Sequence, residues 1–340
     1  MVLWRPLCLS VPALAEKNGP AMPVAGIVGT WFDGFEKLTL DASRLTVDPV
    51  DFASAEEEIN VEVFSKVRQP VAGLGLNRVR VMGIVNVTPD SFSDGGAFFQ
   101  TERAVEHGLQ LLAEGADILD IGGESTRPGA EFVSVEDELA RVVPVIEGLR
   151  AKTDAVISID TRKVEVMRRA VEVGASMIND VSALSFDQAA LEVAAGLDVP
   201  VVLMHAQGTP QTMQDKPMYD HVLFDVYAYL AQRIEAALAA GVKPHHLIVD
   251  PGIGFGKTVR HNCELIAGLS VFHGLDVPVL LGCSRKRFIG ALSGDAPVEE
   301  RLGGSVAGAL HGAAQGVHIL RVHDVAAVRQ ALDVWFGLNI

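Results

Sequence analysis

From about residue 78 to the C-terminus the chain repeats one pattern eight times: a short run rich in Val and Ile, then a stretch with helical spacing. The apolar runs fall near 79–86, 117–121, 156–160, 176–179, 199–204, 247–250, 277–281 and 318–322. The helical stretches fall near 102–114, 134–151, 163–173, 187–196, 222–240, 261–268, 298–316 and 325–336. A near-continuous apolar run is what a parallel strand needs when both its faces are covered, and an intervening helix supplies the crossover that parallel strands require. Eight such units in about 260 residues match an α/β fold of the (β/α)8 or TIM-barrel type. An open doubly wound sheet is the structural alternative. The barrel is preferred because eight units suit closure and no dinucleotide fingerprint opens the series.

Local signals agree with this reading. Ser134-Val135-Glu136-Asp137 is an N-terminal capping signal, and Gly174 and Gly241 stand where helix C-terminal glycines belong. Residues 1–78 read differently, with scattered Pro and Gly and the acidic run Glu56-Glu57-Glu58. One or two strands are expected near 35–47, and no chemical constellation is visible there. The expected organisation is an N-terminal extension over 1–78, packed on a barrel over 79–340.

Composition excludes several classes. Nearly half of the 340 residues are hydrophobic, enough for a sizeable core. With 28 Lys plus Arg against 43 Asp plus Glu, the formal charge is −15, so the chain has no field to gather nucleic acid or anionic lipid. An anionic substrate would need a few local cations that outweigh the global field. Cys8, Cys263 and Cys283 form no C-x-x-C pair, and the apolar runs near the N-terminus are broken by Pro6, Pro12, Glu16 and Lys17. A reducing cytoplasm, with no signal peptide and no membrane span, is the expectation.

The glycine-rich segment Gly252-Ile-Gly-Phe-Gly-Lys-Thr258 invites a nucleotide reading and fails it. A dinucleotide fingerprint would need Gly at Lys257, and a P-loop ending in Gly256-Lys257-Thr258 would need Gly at Pro251.

In a barrel of this kind chemistry sits at the C-terminal ends of the strands. Those ends are Asn86, Asp120 with Gly122-Gly123-Glu124, Asp160-Thr161-Arg162, Asn179-Asp180, Met204-His205, Asp250-Pro251-Gly252, Cys283-Ser284-Arg285-Lys286 and Arg321-Val322-His323-Asp324. Each has a bland reading. Asp160 is a possible helix N-cap, Asn179-Asp180 and Asp250-Pro251-Gly252 are turn signals, and His205 reads as a core histidine. Arg285-Lys286-Arg287 can be a solvated run, and Thr126-Arg127-Pro128-Gly129 an exposed turn. Turns alone do not require polar groups at all eight strand ends, which the fold would converge on one face.

Five segments, in order, together resemble dihydropteroate synthases: NVTPDSFSDG over Asn86–Gly95, GESTRPG over Gly123–Gly129, DPGIGFGK over Asp250–Lys257, SRK over Ser284–Lys286 and RVHD over Arg321–Asp324. The resemblance runs from about residue 79 onward and leaves the first 78 outside. It implies condensation of 6-hydroxymethyl-7,8-dihydropterin diphosphate with p-aminobenzoate to give dihydropteroate and diphosphate. It also implies Mg2+, a homodimer and inhibition by sulfonamides that mimic the aminobenzoate.

What the resemblance implies for single residues is specific. Asp250 clamps the pterin N–H edge, with Asp160 and Asn179 on neighbouring ring atoms and Lys286 on the carbonyl side. Phe255 and Arg321 sandwich the ring or its surroundings, and Met204 lines it. Thr126, Arg127 and Pro128 contact the aminobenzoate. Arg321, His323, Lys286 and Asp120 form the catalytic set, and Asn86 offers Mg2+ a hard oxygen. The loops 88–97 and 124–130 are expected to order over the bound pterin.

The competing readings are a corrinoid-dependent methyltransferase using methyltetrahydrofolate, an aldolase-like barrel with Lys286 as a Schiff-base lysine, and a binding subunit without turnover. The Asn86–Gly95, Ser284–Lys286 and Arg321–His323 segments weigh against the methyltransferase.

Overall fold

The computed structural model describes residues 1–9, 21–42, 44–87, 97–125, 129–208 and 211–338. Strands β5 (Arg80–Asn86), β6 (Ile118–Gly122), β7 (Val156–Asp160), β8 (Met177–Asp180), β9 (Val201–Met204), β10 (Leu247–Asp250), β11 (Leu280–Leu281) and β12 (Ile319–Val322) form one parallel sheet. Its order, β10-β9-β8-β7-β6-β5-β12-β11, brings the two end strands together. There Val249 bridges to Val279 and donates its N–H to Pro278 at 3.0 Å, so the sheet curls into the expected barrel.

Helices α3 (Ala97–Ala113), α4 (Val135–Arg150), α5 (Val164–Glu172), α6 (Ala190–Leu197), α7 (Val222–Ala239), α8 (Val259–Ala267), α9 (Arg287–Leu292), α10 (Leu302–Ala314) and α11 (Val325–Leu338) follow the barrel strands. Ser134 accepts the Asp137 N–H at 3.0 Å as the cap of α4, and Gly174 and Gly241 adopt φ of 119° and 99° after α5 and α7.

Two departures from the sequence reading have local causes. The seventh strand is shorter than 277–281 because Asp276 turns the chain at φ 60° and Pro278 has no N–H to give a ladder. The helix read over 298–316 begins at Leu302, after a separate 3-10 turn at Val298–Glu300. Helix α9 was not anticipated, because six residues do not complete two helical turns of pattern.

The barrel interior explains how the site is built. Each strand sends one apolar residue into a common buried layer near its start: Met82, Ile118, Val156, Met177, Val202, Ile248, Leu280 and Ile319. Val71 and Leu76, from the segment before β5, join this layer. Strand side chains alternate faces, so residues an even number of positions later point inward too. Those residues are Asn86, Asp120, Asp160, Asn179, Met204, Asp250, Gly282 and Arg321. The same parity that fills the floor with hydrocarbon therefore lines the top with polar groups. Outside the strands, a larger apolar layer that includes Val81, Leu119, Ile159, Phe224, Val249 and Phe272 bonds sheet to helices.

The N-terminal segment holds more structure than one or two strands. Strand β3 (Trp31–Asp41) pairs antiparallel with β1 (Val2–Leu9) on one side, and with β4 (Arg44–Val50) and the short β2 (Met22–Pro23) on the other. Helices α1 (Phe52–Glu56) and α2 (Glu62–Ser65) cover it. Its core is aromatic: Phe35 meets Phe32, Phe52, Phe64 and Trp4 edge-on at 5.1 to 6.0 Å. Arg68, buried at the junction with the barrel, donates to Asp276 at 2.6 Å and to the His273 carbonyl at 3.0 Å.

Candidate active site

At the C-terminal end of the barrel the inward-facing groups form one connected network. Arg321 on β12 donates through Nε to Asp120 on β6 at 2.6 Å and through Nη2 to Asp160 on β7 at 2.7 Å. Asn179 on β8 donates its amide to the same Asp120 oxygen at 3.0 Å, which turns its own carbonyl away from that carboxylate. Asp120 is fully buried, Asp160 is 8% exposed and Asp250 is 5% exposed, so all three sit beneath the opening.

Across the barrel, one Asp250 oxygen accepts the Gly252 N–H at 2.7 Å. Lys286, after β11, donates to the Ile253 carbonyl and lies 4.7 Å from the centre of the Phe255 ring. Gly282, directly after β11, stands between these halves: a Cβ built there would lie 3.8 Å from Arg321 Cβ, 3.8 Å from Lys286 Nζ and 3.9 Å from Asp250 Oδ2. The bare position at Gly282 thus borders a carboxylate, an amine and the base of the Arg321 side chain.

Burial and neighbouring charge set the protonation states. Burial pushes Asp160 above the ordinary carboxylate range; Arg321 opposes this, while Asp120, Glu138 and Asp180 add to it. Burial also raises Asp250, against the pull of Lys286 and the Gly252 N–H. Lys286 is lowered by burial to about 8, with Asp250 resisting. For Arg321, burial is outweighed by Asp120 and Asp160, which hold it charged. The arrangement can therefore accept N–H donors at its carboxylates while keeping a fixed cation beside them.

The remaining sequence candidates divide. His323 Nδ1 lies 3.0 Å from Ser284 Oγ, which also receives the His323 N–H, so the chains after β11 and β12 are joined at the rim. Asn86 ends β5; Gly122 separates it from Asp160, its absent Cβ lying 3.7 Å from both Asn86 Oδ1 and Asp160 Oδ2. Met204 is buried at the end of β9. Phe255 faces Lys286, while the Arg321 guanidinium is held edge-on by Asp120 and Asp160. Thr126, Arg127 and Pro128 lie outside the described residues, as does most of the loop 88–97. Asp180 is a turn residue, since its carboxylate takes N–H groups of Ser182 and Leu184 at 2.7 and 2.8 Å. Arg285 turns outward at φ 58° to pair with Asp324.

Several supporting residues were given no role from sequence. Lys257 is 2% exposed and meets His205 Nδ1 at 2.8 Å, the His205 carbonyl at 3.2 Å and the Phe255 carbonyl at 3.0 Å. Burial drives both groups toward neutrality: Lys257 falls well below the ordinary lysine range and His205 falls to about 2, with Lys257 adding to the latter. The pair ties the end of β9 to the turn that carries Phe255. Glu124, Arg162, Lys163 and Glu138 form a second buried cluster, beside a pocket of about 200 Å³ lined in part by Phe132 and Phe186.

A parallel barrel with buried carboxylates and two cations gathered at its C-terminal end has the form of a barrel enzyme. The pterin-binding enzyme family model matches residues 82–323. The dihydropteroate synthase of Haemophilus influenzae is 51% identical over 262 residues, covering 77% of this chain and 94% of the relative. The solved dihydropteroate synthase of Xanthomonas albilineans with 4-aminobenzoic acid is 56% identical, with a TM-score of 0.74 over 78% of this chain and 96% of that one. The same enzyme in complex with 7,8-dihydropteroate superposes with a TM-score of 0.72 at 53% identity, over 78% of this chain and 95% of that one. The chain belongs to the dihydropteroate synthases. It is a transferase that condenses 6-hydroxymethyl-7,8-dihydropterin diphosphate with p-aminobenzoate, and the methyltransferase reading is set aside.

Proposed function

We propose that the pterin ring lies over Gly282 and that its N–H edge is taken by Asp250. The observation that carries this is the convergence of Asp250, Lys286 and Arg321 around a residue without a side chain. A carboxylate paired with two N–H groups makes the stronger, charge-assisted class of hydrogen bond. Asn179 and Asp160 complete the ring contacts, with Met204 beneath and Phe255 and Lys286 beside it. Asp120 touches no substrate in this reading; it orients Arg321 and Asn179.

Reaction begins as the bond between the exocyclic CH2 and the diphosphate oxygen breaks, the electron pair leaving with diphosphate. The pterin ring delocalises the positive charge left behind. Arg321 keeps its Nη1 donors for the departing anion, because Nε and Nη2 are held by Asp120 and Asp160. His323, steadied by Ser284, assists at the rim. The arylamine nitrogen then bonds to the CH2 and loses a proton. Binding both partners in line and stabilising the leaving group are the enzyme's main contributions, and no covalent enzyme intermediate is needed.

Mg2+ fits this site as an ion held mainly by substrate. Among the described residues no three His, Cys, Asp or Glu side chains converge as a metal cage, and Asn86 offers one hard oxygen beside Asp160. When bound, the ion would neutralise diphosphate charge, with Asn86 as its protein ligand. Thr126, Arg127 and Pro128 are proposed to contact the aminobenzoate, where sulfonamides would compete.

The protein is proposed to act as a cytoplasmic homodimer. Leu292, Val298 and Leu302, exposed on successive segments around α9 and α10, supply an apolar face for a second copy. The three cysteines are unpaired, and no helix among the described residues is long and apolar enough to cross a membrane.

The test is diphosphate release with the pterin diphosphate and Mg2+, with and without p-aminobenzoate, in the wild type and Asp250→Ala. Release should require the arylamine. Loss of the clamp should weaken pterin binding by roughly 2–5 kcal/mol, as when one partner of a buried charged pair is removed. Unchanged pterin affinity in Asp250→Ala would end the assignment.

A further inference from the structure

The turn 251–257 joins β10 to α8. It carries Phe255, and its Ile253 carbonyl accepts from Lys286. The backbone at Gly254 also lies against the stem of Lys286, since a Cβ built there would sit 3.2 Å from Lys286 Cδ. The path of this turn therefore sets where both Phe255 and Lys286 stand. Side chains hold the turn from several directions. The Tyr219 hydroxyl donates to the Gly256 carbonyl at 2.7 Å. Asn262 on α8 accepts the Gly254 N–H at 2.7 Å. Lys257, at 2% exposure, holds it from within.

Lys257 Nζ reaches the Phe255 carbonyl at 3.0 Å, the His205 carbonyl at 3.2 Å and His205 Nδ1 at 2.8 Å. His205 directly follows β9, and its ring stands edge-on to Tyr229 with centres 4.8 Å apart. The two carbonyls can only accept, so they take N–H groups of the amine. The third contact is satisfied in either protonation state: an ammonium donates to a bare Nδ1, and a neutral amine accepts from Nδ1–H. Burial lowers both groups, and the brace survives that loss of charge. Burying an amine costs more than burying hydrocarbon of the same length. In return, three bonds at set distances fix direction as well as contact.

We propose that Lys257 is a positioning residue for the pterin: its amine holds the turn 251–257 against the end of β9 so that Phe255 and Lys286 flank the ring. The proposal rests on the reading that places the ring beside those two side chains. Lys257 touches no substrate; it acts through the Phe255 carbonyl and through the turn whose Ile253 carbonyl Lys286 grips. The leaving-group side of the site is built from Arg321 on β12 and from His323 just after it, and does not run through this turn. Loss of the brace should therefore weaken capture of the pterin and spare the chemistry once both substrates are bound.

The experiment compares Lys257→Met, Tyr219→Phe and Lys286→Met with wild type, each assayed for pterin Kd by calorimetric titration, kcat at saturation, KM for p-aminobenzoate and Tm. Lys257→Met keeps most of the side-chain length and loses all three bonds. Its pterin Kd should rise about 10- to 100-fold, the worth of one hydrogen bond to a charged group, while kcat and the p-aminobenzoate KM stay within about threefold. A residue that served stability alone would lower Tm and leave the Kd of the folded protein unchanged. Tyr219→Phe removes one bond to the same turn and should raise the pterin Kd about 3- to 10-fold; it decides the matter if Lys257→Met fails to accumulate. Wild-type pterin affinity in the deciding variant, or a loss of kcat as large as the loss of affinity, overturns the proposal. In that event a weakened pterin Kd in Lys286→Met places the error in the brace, and an unchanged one places it in the reading of the ring's position.

Discussion

Gly282→Ala separates the pterin floor from the fold that supports it. A Cβ at 282 meets its nearest neighbours at 3.8 to 3.9 Å, which is ordinary van der Waals contact, and the residue is not among the glycines with positive φ. The methyl group therefore fits the unliganded barrel, and stability should change by no more than about 0.5 kcal/mol. In the proposed pose the same methyl occupies the space that the ring needs between Asp250 Oδ2 and Lys286 Nζ. Forcing one extra methyl group into a filled site costs about 1–3 kcal/mol, which converts to roughly a 5- to 150-fold rise in pterin Kd. Calorimetric titration with a 6-substituted pterin, beside a thermal melt, reads both quantities. A variant that melts like wild type and binds pterin equally well would refute the placement of the ring over this residue. A large fall in Tm would refute the claim that the space is open.

Gly252→Ala should behave in the opposite way. Its Cβ would lie 1.8 Å from the His205 carbonyl oxygen at a φ of 68°, so the variant should melt at least about 5 °C lower or fail to accumulate, whatever the ligand. Arg321→Met should lose about 3–5 kcal/mol, because Asp120 and Asp160 are left buried without a cation. In that variant the native state keeps a proton on the raised carboxylate that the unfolded chain releases, so stability falls as pH rises. Urea unfolding should show a smaller deficit at pH 6 than at pH 8, and an equal deficit would argue that neither carboxylate takes up the proton. The pH profile of kcat/KM for the pterin diphosphate should be bell-shaped. Its acid limb, from Asp160, should stand above the ordinary carboxylate range, and its basic limb near 8 should reflect loss of the Lys286 charge. Lys286→Arg should carry the basic limb to higher pH; a limb that stays in place belongs to the substrate.

The barrel was legible because a strand buried on both faces has no polar positions to interrupt it. Two strand boundaries shifted where proline removes a donor: Pro200 precedes the true start of β9, and Pro278 shortens β11. The N-terminal sheet was harder to see. Its core comes from Trp4, Phe32, Phe35, Phe52 and Phe64, spread over some sixty residues, and β4 is exposed along most of its length, so no window carries the pattern. The residues at the strand ends were legible once the fold was known, since inward parity selects Asp120, Asp160, Asn179, Asp250 and Arg321. Their supports were not. Glu124 and Arg162 stand 38 positions apart, and Lys257 meets His205 across 52. Such pairings depend on where the chain returns, and no local spacing encodes that. The glycines at 252, 254 and 256 mimic a phosphate loop for a similar reason. Gly252 and Gly256 allow the turn to press on the backbone of His205 and Gln207, where a Cβ would fall within 1.8 and 2.4 Å.

The sorting of charge by depth explains how an acidic protein can hold two anionic substrates. The carboxylates of Asp120, Asp160 and Asp250 lie at 0 to 8% exposure, whereas the Arg321 side chain that pairs with two of them is 21% exposed. The formal charge of −15 is a property of the whole surface and is screened within about 8 Å at physiological ionic strength. Inside the barrel the screening is weaker, so an approaching diphosphate meets the guanidinium before it meets the acids below. In the proposed pose the donor-rich ring bonds to the carboxylates, while its phosphate tail stays at the rim. Reversing that order, with a carboxylate above and the cation beneath, would leave the same net charge and repel the substrate. The inward parity of β6, β7, β10 and β12 brings these charges onto one site, and it follows from the same alternation that seals the barrel floor.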